Sequence, residues 1–317
     1  MKTRIISSKI FVAITAVLFL VSSCDKNDGD DLKTIGGLIT DEPTFSTLNT
    51  AVIKGGLSSK LNDTDQLTLL APNNDAFTAA GITNTVLDGL SSNDVANILY
   101  YHIIPSKVMA ADMPGGPNAK VLTFSGDSVF VTKNANGVFV NGINVSEADL
   151  AVSNGVVHKL STGVLLPPSG NLLVTAAASG LDSLAKALNV AATGAGGDPT
   201  LATTFSSALL TVFAPSNAAF TALLTGLGLT DITQIPMATL IATLKLHVAA
   251  GRVFSSDLTN GNLSMISGGT TVVSLSNTST GPTLSGPGNN TNTAKITKFN
   301  IVARNGVIHF IDKVLLP

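Results

Sequence analysis

The chain closes on NGVIHFIDKVLLP (Asn305–Pro317), and it has already used almost the same string once, as NGVVHKLSTGVLLP (Asn154–Pro167). Each string opens on Asn-Gly, runs through apolar residues around one histidine, and ends on Val-Leu-Leu-Pro. Asn-Gly is a tight-turn signal, and a short apolar run after it reads as a buried strand. A closing strand pair that occurs twice implies that the unit it closes occurs twice.

Two further pairs of strings lie upstream in the same order. TLLAPNNDAF (Thr68–Phe77) matches TVFAPSNAAF (Thr211–Phe220), and LYYHIIPSKVMAAD (Leu99–Asp112) matches LKLHVAAGRVFSSD (Leu244–Asp257). The separation grows from 143 residues at Pro72 and Pro215 to 151 at His158 and His309. Gly/Asn-rich stretches of unequal length account for the growth, as surface loops allow. One unit is as long as an ordinary domain, so the repeat predicts two domains, 39–167 and 168–317, and not a solenoid.

Both units read alike. An amphipathic helix carries Phe45, Leu48 and Val52 in the first and Leu181, Leu184 and Leu188 in the second. A buried strand follows, and Asn73 and Ser216 stand where they would cap the next helix. A further helix leads into the first histidine. SVFVTKNANGVFVNG then predicts a hairpin turning at Asn136-Gly137. The class is α+β. LLPPSG (Leu165–Gly170) is the expected linker, short and stiffened by proline, so the domains should sit close.

The first residues read as a leader. Lys2, Arg4 and Lys9 precede an apolar run, Ile10 to Val21, too short to be a stable membrane span. LVSSC resembles a bacterial lipobox, which makes residues 1–23 a lipoprotein signal and Cys24 the lipidated residue. Cys24 is the sole cysteine, so no intrachain disulfide can form. Residues 24–38 read as an acidic, flexible tether. Acidic residues after a lipidated cysteine resemble a surface-export signal. Asp25 beside Cys24 resembles an inner-membrane retention signal instead. Outer membrane and surface exposure is the localisation expected.

Removing Lys2, Arg4 and Lys9 from 18 basic residues leaves 15 against 20 acidic ones, a net of −5. With no Lys/Arg stripe, nucleic acid and anionic lipid surfaces are poor partners, and the membrane is met through the lipid anchor alone.

The three ordered motifs resemble the fasciclin-like domain family, in two tandem copies covering nearly all of the mature chain. The resemblance implies, for each copy, a wedge or sandwich of β-strands with several packed helices. It also implies adhesion or matrix contact and no enzyme activity. The family's Tyr-His pair falls on Tyr101 and His102, and its acidic segment on Glu147, Asp149 and Leu150. In the second copy Leu246 with His247, and Asn300 with Ile301, stand there. If these motifs bind, the first copy is the better candidate. The competing reading makes Tyr101 and Leu246 fillers of one core slot.

His102, His158, His247 and His309 are expected to be structural, buried and bonded to backbone, because their neighbours are apolar and no metal-ligand spacing is present. Asp112 and Asp257 match and are expected to cap a turn or a short helix. Ser183-x-x-Lys186 lies on an amphipathic helix without partner motifs, so neither catalysis nor a cofactor or metal is expected. The expected partner is an extracellular protein or glycan. A glycan-capturing accessory lipoprotein and a structural spacer are the other readings. The absence of Trp speaks against glycan capture.

Overall fold

The computed structural model describes residues 32–275 and 281–317. The leader, Cys24 and most of the expected tether lie outside the described residues.

The first domain begins with the helices Ile35–Asp41, Ser46–Lys54 and Ser58–Asn62. Strand β1 (Leu67–Pro72) follows, then three helices ending with Ser92–Tyr101, then β2 (Ile103–Ile104). The rest is β3 (Gly116–Leu122), β4 (Ser128–Asn134), β5 (Gly137–Val140), β6 (Ile143–Val152) and β7 (Gly155–Leu160). The sheet order is β2-β1-β7-β6-β5-β4-β3. The second domain repeats it with β8 (Leu210–Pro215), β9 (Val248–Ala250), β10 (Gly261–Ser264), β11 (Thr270–Ser274), β12 (Thr283–Ser285), β13 (Ala294–Ala303) and β14 (Gly306–Ile311). Its order, β10-β11-β12-β13-β14-β8-β9, is the same order read from the other edge.

The sequence stretch quoted first forms β7 and β14. Each pairs antiparallel with the strand before it and parallel with the early strand, β1 or β8. β1 and β8 are therefore central and buried along all six residues, which is why they read as unbroken apolar runs. Leu67, Leu69 and Ala71 face the helices with Phe45, Leu48 and Val52, while Leu70 faces the strands with Val129, Val131, Val140 and Leu160. β6 and β13 carry two register shifts each and bend across the wedge. Each domain thus has two cores, one on either face of its central strands.

Asn154 and Asn305 do more than turn the chain. Asn154 accepts the Ile35 N–H through Oδ1 and donates through Nδ2 to the carbonyls of Leu61 and Asp63. Asn305 accepts from Leu172 and donates to Phe205 and Ala208. The closing turn therefore ties the opening helices of its own domain.

Two boundaries differ from expectation. The tether does not run to 38. Thr34 caps the helix Ile35–Asp41, and Ile35 and Ile39 are core residues. Gly36 is buried in this helix, where a Cβ would meet the Asn62 side chain at 2.5 Å. The linker also starts later than Leu165, which is buried and donates its N–H to His102.

Candidate functional site

The four histidines form two sets. His102 and His247 end their helices. Nδ1 donates to the carbonyl four residues back, Ile98 at 2.8 Å and Thr243 at 2.7 Å. Nε2 accepts from the final strand segment, Leu165 N–H at 3.0 Å and Leu315 N–H at 2.8 Å. His158 and His309 hold the opposite tautomer. Nε2 donates to Val108 and Val253, both at 2.9 Å, and Nδ1 accepts the N–H of Asp149 or Asn300. Every ring nitrogen is engaged by backbone, leaving none for a metal. Among the described residues no three His, Cys, Asp or Glu side chains gather. Burial holds His102, His247 and His309 down to about 4.

The second set pins one stretch of chain. Thr68 Oγ1 accepts the Val108 N–H, His158 holds the Val108 carbonyl, and Asp149 Oδ1 accepts the Ala110 N–H. Thr211, His309 and Asn300 hold Val253 and Ser255 in the same way. Asp149 and Asn300 share a left-handed φ, 60° and 62°. Short polar residues tolerate that conformation and accept the local N–H.

The expected contact residues therefore separate. Tyr101 is 0 % exposed. Its hydroxyl donates to the Ser128 carbonyl and accepts from Asn141, and burial pushes it up to about 12. His102 is buried beside it. Neither can meet a partner, and Leu246 fills the matching slot. Leu150 packs against the helix-side core. Asp149 is 35 % exposed but is committed to the backbone. Glu147 is exposed, 3.7 Å from Lys159. Asp149→Asn should leave the melting temperature within about 2 °C, since Asn300 already does this job. Asp149→Ala should cost roughly 1–2 kcal/mol, by thermal denaturation. A larger loss in the Asn variant would show that the negative charge itself is required.

The residues that join the domains were missed. Residues 32–317 form one body, and β4 with its neighbours packs on Arg252–Asp257. The Arg252 guanidinium lies 3.8 Å from the Phe130 ring centre. It donates to the carbonyls of Ala303, Arg304 and Gly306, and burial lowers it to about 10. Phe254 packs beside Phe130. Thr132 donates to Asp257, Asn118 to the Arg252 carbonyl, and Ser255 to the Gly142 carbonyl. Arg252 and Arg304 are the sole arginines after the leader, and Arg304 reaches Asp127 across the same seam. Their scarcity was the available signal.

Beside the seam lies a cleft of about 690 Å³. Asn141, Gly142, Ser255 and Asn300 line it where the domains touch. Ala79, Ala80 and Thr162–Pro167 come from the first domain, and Ser179 and Thr297–Val302 from the second. Clefts of this size at domain boundaries are common ligand sites.

The fasciclin domain model matches residues 43–167 and again 185–317. The chain belongs to the fasciclin domain family. A Synechocystis protein, sll1483, is 35 % identical over 141 residues, which is 44 % of this chain and 76 % of that protein. Pig transforming growth factor-beta-induced protein ig-h3 is 33 % identical over 138 residues, 43 % of this chain but 20 % of that one. This chain therefore spans about three quarters of the first relative and a fifth of the second. A fasciclin domain pair from the insect cell adhesion molecule Fasciclin I aligns over 86 % of this chain and 97 % of its own, with 18 % identity and a TM-score of 0.38.

Proposed function

We propose that this protein is a non-enzymatic, lipid-anchored surface protein that makes extracellular contacts, with the cleft between its two fasciclin domains as the contact site. The observation that carries the reading is that cleft, set beside a seam that holds the two domains in one body. The LVSSC string and the acidic residues after Cys24 support the anchor and the surface location.

A protein partner suits the cleft better than a glycan. Its one aromatic side chain, Phe299, is already edge-on to His309, so it offers no free platform for a sugar ring. Thr297, Ser179, Lys298 and apolar neighbours suit a polypeptide that buries side chains and bonds its backbone.

The test uses the mature chain with Cys24→Ser, immobilised through its N-terminus, against extracellular-matrix proteins and polysaccharides. Ser179→Trp and Thr297→Trp, which fill the cleft, run beside it. Saturable protein binding weakened tenfold or more by both, at unchanged melting temperature, is the expected result. Binding indifferent to the fillers removes the cleft as the contact site, and no binding at all leaves a spacer. Polysaccharide binding that the fillers weaken moves the reading to glycan capture. In cells, Cys24→Ser should leave the membrane fraction.

A further inference from the structure

The seam joins two unlike surfaces, and the duplication has made each of them twice. One is the β3–β4 face of the first domain. The other is the pinned segment Arg252–Asp257 of the second. The second copies are the β10–β11 face of the second domain and the segment Lys107–Asp112 of the first. Among the described residues no hydrogen bond, ion pair or ring contact joins the second copy of either to the other domain, although Lys133 of the first domain donates to the carbonyls of Ala110 and Ala111.

The second copies keep the form of the ones in the seam. Lys107–Asp112 is held by the three anchors that hold its twin, Thr68, His158 and Asp149. The strand pairing of Val131 with Ala119 and Val140 matches that of Val273 with Gly261 and Leu284. That register puts Val272 in the place of Phe130 and Ser274 in that of Thr132.

The chemistry is kept as well. Where Arg252 lies on Phe130, the free copies offer the Lys107 stem and the Val272 side chain, an apolar stem against an apolar residue. Where Thr132 donates to Asp257, they offer Ser274 and Asp112. Asp257 caps its turn as expected, accepting the Phe254 N–H, whereas Asp112 makes no such bond, and it and Lys107 are exposed. Val272 is 48 % exposed on an outer sheet face, open to a partner.

We infer that the protein self-associates head to tail, the β10–β11 face of one copy docking on Lys107–Asp112 of the next. The occupant is a second copy because the surface complementary to each free face exists on the same chain. Such a contact is heterologous and does not close on itself, so it builds open rows. It is weaker than the internal seam, since Val272 and Lys107 replace the aromatic–guanidinium stack and no counterpart of the Arg304–Asp127 pair exists. The inference is independent of the cleft, which uses other residues.

The test starts from the Cys24→Ser mature chain, which has no other cysteine. Lys107→Cys and Val272→Cys are made in separate proteins, mixed and mildly oxidised. The mixed disulfide should form at least tenfold faster than that between Val272→Cys and Leu209→Cys, another exposed position. Equal rates would overturn the contact. A gain-of-function arm restores the residues of the internal seam. Lys107→Arg with Val272→Phe should raise association in sedimentation tenfold or more, and adding Asp112→Lys should reverse it. A double variant no more associated than the parent would sink the inference.

Discussion

Gly155→Ala and Gly306→Ala should each unfold the domain they sit in. A Cβ on Gly155 would lie 1.9 Å from the Leu67 carbonyl oxygen, and one on Gly306 2.0 Å from that of Leu210. These are backbone atoms of the central parallel strand, and no side-chain rotation relieves the overlap. Gly155 also has a φ of 150°. The parallel pairing of β7 with β1, or β14 with β8, would have to open at its first residue pair, Leu67 with Gly155 or Leu210 with Gly306. Both cores rest on those strands. The expected loss is on the order of 4 kcal/mol or more, against a total of roughly 5–15 kcal/mol for a domain. Gly89→Ala is the control. Gly89 has open space around it, so that variant should be neutral or slightly stabilised. Denaturant titration of the three variants decides the matter. A loss below about 1 kcal/mol at Gly155 or Gly306 would mean that the close approach is not required.

Acid is expected to unfold the protein well above the pH at which carboxylates are protonated. His102, His247 and His309 sit at about 4 in the fold, pushed down by burial. Unfolded, each returns to about 6.5. Between those values the unfolded chain binds more protons than the folded one, so stability falls as pH falls. It is intact above about 6.5 and declines progressively toward 4. The shift corresponds to roughly 3 kcal/mol per histidine, and two of the three lie in the second domain. Their loss removes much of that domain's margin, and its unfolding midpoint in denaturant should drop steeply from pH 7 to pH 4.5. A flat profile over that range would show that these imidazoles are not held neutral by burial.

The sequence made the repeat, the α+β class and both caps legible, because turns, caps and apolar runs are local signals. Asn73 and Ser216 cap their helices as their positions imply. It did not disclose that the closing strand lies parallel to the first one, since pairing partners leave no local trace. The site was harder still. Tyr101 reads as surface chemistry from its motif, yet it bridges Ser128 and Asn141 inside the wedge. Asp149 reads as an acidic contact, yet Asn300 does the same work without the charge. The seam escaped because Phe130 and Arg252 have no identical counterpart in the other copy, and comparing copies favours what repeats.

The parallel pairing also sets the order in which each domain can assemble. β1 has no strand on its central side until Gly155–Leu160 exists, some 85 residues later, and Asn154 is what fastens the opening helices. A partly synthesised domain thus has helices and hairpins but no closed core, and long-range pairing of this kind is slow to form. Closure of each domain is therefore delayed until its last hairpin has been made. In the second domain that hairpin is completed only by Gly306–Ile311, so a chain cut short before Gly306 would remain an open intermediate exposed to proteolysis.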